Sequence, residues 1–121
     1  MSKFLTKLRV ERVEEPKTFF GRATWKLLEP LEYKSGLVDT TIIVNTGFKT
    51  DFASVPRLFL VYALVGDTGH ASAVVHDYLC HLKFFSRRIT DRIFLEALEV
   101  EGVPAWRRYI MYAGVRIGSR F

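Results

Sequence analysis

The chain has 121 residues, 49% hydrophobic and 26% charged, which excludes a disordered or fibrous protein and suits one domain, residues 1–121, with its own core. Its longest apolar run, Leu58 to Val65, falls well short of the ~20 residues of a membrane span, and Met1-Ser2-Lys3-Phe4-Leu5-Thr6-Lys7 lacks a signal-peptide core. One cysteine, Cys80, excludes an internal disulfide and suits a reducing compartment, so synthesis without export is expected.

The first half predicts strands. Leu8 to Val13 alternates roughly, Ala23 to Leu27 alternates strictly with Trp25 on the buried side, and Thr41-Ile42-Ile43-Val44 is β-branched and followed by the turn residues Asn45 and Gly47. Glu14-Glu15-Pro16-Lys17 and Lys34-Ser35-Gly36 are turn chemistry between them. Alternation implies one covered and one wet face, hence an antiparallel sheet.

The second half predicts about four helices. Ser54 as N-cap and Pro56 in the first turn open one that Gly66 closes. A second runs from about Thr68 to Lys83, and a third opens after Ser86 and ends at Gly102. Pro104 starts a fourth, with Trp106, Tyr109, Ile110, Ala113 and Ile117 on one face. The expected fold class is α+β: a small antiparallel sheet from residues 5–50 with helices from residues 55–118 packed on one face.

The second helix carries the most informative residues, His76 and Asp77. Its apolar stripe is Ala71, Val74, Val75, Tyr78, Leu79 and Leu82, and at about 100° per residue His76 and Asp77 fall on opposite flanks of the far face. That face also holds Gly69, Ala73 and Cys80, small residues that let a neighbour approach, so the helix is expected to be packed on both sides with the dyad looking into a cleft. Histidine is the natural general base near neutral pH. Asp77 points away from His76 and suits a cation or a substrate dipole instead. The orienting carboxylate must come from elsewhere, and the candidates are Asp51 and Asp91.

Each residue also has a structural reading. His76 can be a buried histidine hydrogen-bonded to backbone, Asp51 can tie its own loop, and Asp91 can pair with Arg87 and Arg88 at i−4 and i−3. Ser54 reads as a cap, since no nucleophile-elbow glycines flank it. His76 with Cys80 and Asp77 with His81 are i, i+4 pairs, but no second Cys/His pair completes a zinc site. An oxygen-rich calcium site using Asp77 and loop carbonyls is the better-founded metal reading.

The net charge of +5 is uneven: residues 1–82 carry ten Lys/Arg against nine Asp/Glu, and residues 83–121 eight against four. This basic excess reads either as a solvated helical surface or as a contact for phosphates of nucleic acid or lipid, and no nucleic-acid motif accompanies it.

The run Val44 to Arg57, containing Thr50-Asp51-Phe52-Ala53-Ser54-Val55-Pro56-Arg57, resembles the phage- and prophage-associated family called domain of unknown function 1353. So do His76-Asp77-Tyr78-Leu79, Ser86-Arg87 through Asp91 to Ala97, and Gly102-Val103-Pro104 through Trp106, over roughly residues 22–118. The resemblance implies a phage or prophage origin, a location in the host cytoplasm or the virion, and no settled activity. A shorter stretch, His76-Asp77 with the helix containing Asp91-Arg92-Ile93-Phe94, resembles the site of small microbial phospholipases A2. By that likeness His76 activates water, Asp77 binds calcium and Asp91 orients the histidine. The chain departs from that pattern at Cys80, where a tyrosine is usual, and lacks the glycine-rich calcium loop and the disulfides.

Three classes of function follow. One is a small hydrolase using His76, Asp77 and Asp91 or Asp51, with Arg57 and Ser54 toward the substrate, calcium as the candidate cofactor, and host envelope lipid as an expected partner. The second is a non-enzymatic virion or assembly protein that binds other phage proteins, its His76, Asp77, Asp51 and Arg57 forming a structural polar network. The third is a nucleic-acid-binding module using Arg107, Arg108, Arg116 and Arg120.

Overall fold

A computed structural model describes residues 1–13, 24–50 and 69–118. Six short strands come first: β1 (Lys3–Phe4), β2 (Val10–Val13), β3 (Thr24–Leu27), β4 (Leu31–Ser35), β5 (Thr40–Val44) and β6 (Lys49–Thr50). Three helices follow, α1 (His70–Leu82), α2 (Arg87–Val100) and α3 (Ala105–Gly118). The fold is α+β, as expected, with three helices among the described residues instead of four. The stretch assigned to the first predicted helix, Ser54 to Gly66, lies outside the described residues, as do Asp51 and Arg57.

The strands form two antiparallel sheets, ordered β1-β4-β5 and β2-β3-β6, where one was expected. The division falls at the Asn45 to Phe48 turn, where Gly47 has φ +88° and Phe48 N–H donates to the Asn45 carbonyl. The chain leaves β5 there and enters β6 against β3. Leu27 stitches the turn to β3: it donates to the Phe48 carbonyl at 3.0 Å and accepts from Gly47 N–H at 2.8 Å.

Sequence patterning missed the two-residue strands β1 and β6, and also β4, whose end Lys34-Ser35-Gly36 reads as turn chemistry. The alternation of β4 is nonetheless regular, with Leu31, Tyr33 and Ser35 buried between the outward Glu32 and Lys34. The register pairs Leu31 with Val44 and Tyr33 with Ile42, which puts four core side chains on one face.

α1 packs on both sides. Val74, Val75 and Leu79 join Leu31, Tyr33, Ile42 and Val44 on the sheet side, with Ile93 and Ala97 of α2. Ala73, from the opposite side of α1, packs with Phe94, Leu98, Val103, Met111 and Val115 of the helical layer. The small far face therefore marks a helix–helix contact. Leu82, counted in the stripe, is half-exposed because the helix ends there, with Lys83 turning out at φ +55°.

α3 overturns its expected orientation. Trp106, Tyr109 and Ala113 of the predicted stripe are exposed, whereas Arg107, Met111 and Val115 are buried. The periodicity is that of a helix, but the aromatic face points outward because Met111 and Val115 fill the space left between α1 and α2.

Two glutamates tie the layers together. Glu96 of α2 accepts from Tyr33 Oη at 2.6 Å, Ser35 Oγ at 2.8 Å and Leu37 N–H at 2.9 Å. Glu101, just after α2, accepts from Ser72 N–H at 2.6 Å, Ser72 Oγ and Gly69 N–H. α1 has no side-chain cap of its own, so Glu101 supplies the negative charge its N-terminus favours. Gly69 has φ +98°, where any side chain is strained, and a Cβ there would also press on the end of Met111 at 3.0 Å. No described helix is long and apolar enough to cross a membrane.

Candidate functional site

The site is built where the three helices converge. Ser86 caps α2, its Oγ accepting from Ile89 N–H, and this starts the helix one turn before Asp91. On that register Asp91, Ile93, Phe94, Ala97 and Leu98 all face inward. Asp91 is thereby carried into the interior beside His76 of α1, and both are sealed from solvent, at 0% and 1% exposure.

A buried carboxylate persists only with compensating partners. Asp91 has three, one from each helix. His76 Nε2 lies 2.6 Å from Asp91 Oδ1, Arg87 Nε donates to the same oxygen at 3.1 Å, and Arg116 Nη1 of α3 donates to Oδ2 at 2.9 Å. Burial by itself raises the Asp91 pKa, but the hydrogen bond and charge of His76, followed by those of Arg87, outweigh it and hold the carboxyl below its ordinary value. An ionised carboxylate only accepts, so Nε2 carries the proton in this contact and a neutral His76 keeps its lone pair on Nδ1. Phe94 packs against the imidazole, ring centroids 5.0 Å apart, and fixes its plane.

Cys80, one helical turn after His76, lies 3.8 Å from Nδ1 and 3.7 Å from Nε2, a weak contact shared by the two nitrogens. Burial is the main cause that pushes its thiol up to about 11, with Asp91 and Asp77 adding to the rise and Arg87 opposing it. Cys80 is therefore a thiol near neutral pH, and a thiolate–imidazolium nucleophile is not what the pair forms. Cys80 also lines a groove of about 350 Å³ with Leu79, Lys83, Phe85, Arg87 and Thr90. The imidazole and the groove share Cys80 as a wall.

Of the residues singled out by sequence, His76 and Asp91 are brought together, and Asp91 is the carboxylate against the imidazole. Asp77 is half-buried on the adjoining flank of α1, outside the set that binds Asp91. Asp51, Ser54 and Arg57 lie outside the described residues. Among the described residues no group of three or more His, Cys, Asp or Glu is placed to hold a metal ion, so Asp77 is not joined by the further carboxylates a calcium site wants.

Arg116 was legible only as one of several basic residues. It approaches Asp91 across 25 residues of sequence, and nothing local marks it as inward-turned. Of the four arginines considered for nucleic acid, Arg107 is buried and Arg116 is engaged with Asp91, so neither is displayed as a phosphate contact. Thr90 carried no sequence signal. It is 1% exposed, and its Oγ1 has no hydrogen-bond partner among the described residues.

Comparison with known proteins places these residues in a family. The chain is 33% identical over 76 residues to "Uncharacterized protein y4jT" of Sinorhizobium fredii (strain NBRC 101917 / NGR234), an alignment covering 60% of this chain and 22% of that protein. The chain thus matches less than a quarter of the length of that relative. No solved structure is significantly similar to it. Residues 25–115 match the family described as "Protein of unknown function (DUF1353)", a span that contains His76, Arg87 and Asp91, and the chain belongs to that family.

Proposed function

We propose that this domain is a hydrolase in which His76, oriented by Asp91, is the general base. The observation that carries this reading is the 2.6 Å contact between His76 Nε2 and a carboxylate that two arginines also hold. It fixes the tautomer in which Nδ1 is the basic nitrogen. In this reading a water reaches Nδ1 past Cys80, the wall shared with the groove. The imidazole takes its proton as it attacks an ester carbonyl and returns it to the departing alkoxide, so that ester and water become acid and alcohol. Asp91 remains ionised and stabilises the imidazolium that forms between the two steps. Lipid ester as the substrate, and a phage or prophage setting, rest on the sequence resemblances. Calcium at Asp77 rests on the phospholipase resemblance alone, since among the described residues no further carboxylates gather there, and the base chemistry above runs without it.

A second reading is favoured by the 1% exposure of His76 and the 0% exposure of Asp91. The same residues then serve as a clasp that locks three helices in a non-enzymatic assembly protein. His76→Gln separates the two readings, because a glutamine amide can reach Asp91 as Nε2 does while offering no base. Screening wild type against p-nitrophenyl esters of graded chain length and against phospholipid vesicles should show turnover above buffer. The hydrolase reading expects that turnover to fall by roughly 10²–10⁴-fold in folded His76→Gln. Turnover of no ester by wild type, or undiminished turnover in His76→Gln, refutes the base.

A further inference from the structure

The groove beside Cys80 carries two hydrogen-bond donors without partners among the described residues. Thr90 Oγ1 and Arg87 Nη2 are both buried and bonded to no described residue, and both residues line it. Buried polar groups in folded proteins are nearly always satisfied, and an exception calls for a water, an ion or a ligand. Arg87 uses Nε to hold Asp91, which leaves its outer nitrogen directed elsewhere. Asp91 carries one negative charge against the two guanidiniums that bind it, and Lys83 adds a third cation to the wall. No acidic residue is among the described lining residues. Lys83 adopts φ +55°, a conformation that glycine takes more cheaply, so the helix ends with a cation where a small residue is the usual choice.

Leu79 and Phe85 form a wall of this groove and of a second one, of about 240 Å³, between the end of α1 and β5. The second groove is mostly apolar, with Thr40 and Thr41 at its β5 edge: Ile43, Leu82 and Phe84 stand exposed along it at 47%, 50% and 77%. Exposed apolar side chains gathered around one groove mark a surface that an apolar partner covers.

We propose that the two grooves together form a binding site for a single-chain amphiphile. Its anionic head, phosphate or carboxylate, is held by Thr90, Arg87 and Lys83, and its alkyl chain lies along Leu82, Phe84 and Ile43. As a substrate site this rests on the general-base reading above; as a binding site it does not. Thr90 Oγ1–H and Arg87 Nη2–H each donate to an anionic oxygen, and the head sits beside Cys80 on the wall shared with His76. The chain is directed away from the Asp91 cluster, toward β5.

Calorimetric titration with decyl phosphate below its micellar concentration tests this, with inorganic phosphate and decyltrimethylammonium as the other arms. Decyl phosphate is expected to bind at least tenfold more tightly than either. Thr90→Val keeps the shape and removes one charge-assisted donor, so it should weaken decyl phosphate by about tenfold while leaving the melting temperature unchanged or raised. Phe84→Ser should weaken decyl phosphate and leave inorganic phosphate unaffected. Equal affinity for decyltrimethylammonium, or unchanged affinity in Thr90→Val, overturns the head-group site. Equal affinity for inorganic phosphate overturns the alkyl groove. Repeating the titration on His76→Gln keeps the two proposals apart: binding there without turnover by any variant sinks the base and leaves this site standing.

Discussion

Replacing Asp91 by asparagine is the sharpest perturbation of the molecule, because it keeps the volume and removes the charge on which three helices converge. The carboxylate is 0% exposed and accepts from His76, Arg87 and Arg116 at 2.6–3.1 Å. Hydrogen bonds to charged groups are worth about 1.5–3 kcal/mol each, and breaking one side of a buried ion pair costs roughly 3–5 kcal/mol. The three bonds share one acceptor group and do not add independently, and Arg87 and Arg116 are about one-third exposed, so water can recover part of their hydration. The expected loss is therefore about 3–5 kcal/mol in total. With an unfolding entropy of about 2.1 cal/mol/K per residue, each kcal/mol lowers Tm by about 4 °C in a chain this long, giving a fall of about 12–20 °C. Urea titration followed by circular dichroism reads the first number and a thermal scan the second. Arg116→Met supplies the control: with Asp91 intact it should cost about 1–2 kcal/mol, and on the Asp91→Asn background much less. A loss below about 1 kcal/mol in Asp91→Asn, or no coupling to Arg116, would refute the view that this carboxylate holds the helices.

Four other outcomes follow. Asp91 has its folded pKa below the ordinary carboxylate value, so its contribution to stability is complete above about pH 5 and is lost as pH falls through the folded pKa. Urea midpoints measured from pH 7 down to pH 2 should drop in wild type and drop distinctly less in Asp91→Asn. Glu96→Ala orphans the hydroxyls of Tyr33 and Ser35, with an expected loss of about 2–4 kcal/mol by urea titration. In wild type, burial and then Glu96 push the Tyr33 phenol well above its usual range, so absorbance near 295 nm should leave that tyrosine un-ionised until the fold opens. Cys80, with its thiol pushed up to about 11, should react with iodoacetamide at pH 8 well over tenfold more slowly than glutathione; an equal rate would contradict the burial argument.

The helices were legible wherever their ends carry local chemistry. Ser86 caps α2, Gly102 follows it at φ +85°, and Pro104 precedes α3, all as the residue types imply. The two-sided packing of α1 was legible because Gly69, Ala73 and Cys80 replace the charges that an exposed face would have. The inability of His76 and Asp77 to serve each other followed from helical geometry, and Asp91 stood among the two carboxylates left. What the sequence hid has a common cause, since it depends on residues far apart in the chain. The outward turn of Trp106 and Tyr109 is decided by what Met111 and Val115 find between α1 and α2. β4 is confirmed as a strand by pairing with β1 and β5, while its end at Lys34-Ser35 reads as a turn. Arg116 looks like any surface arginine until α3 folds back along α2.

The spacing of the partners of Asp91 has a consequence for the order in which the molecule assembles. They lie 4, 15 and 25 residues away in the chain, whereas Glu96 reaches Ser35 and Tyr33 across 61 and 63 residues. Going from a 15-residue to a 60-residue loop is two doublings of length, or about 1.2 kcal/mol of extra closure entropy. The helical half and the β4–β5 hairpin can thus each close by short loops before they dock on one another, since contacts of low sequence separation form first. In that sequence of events Asp91 meets its imidazole and guanidiniums before the sheet docks through Glu96. The costliest group to bury is matched while it can still exchange with water, and the long-range closure then covers a cluster already neutralised.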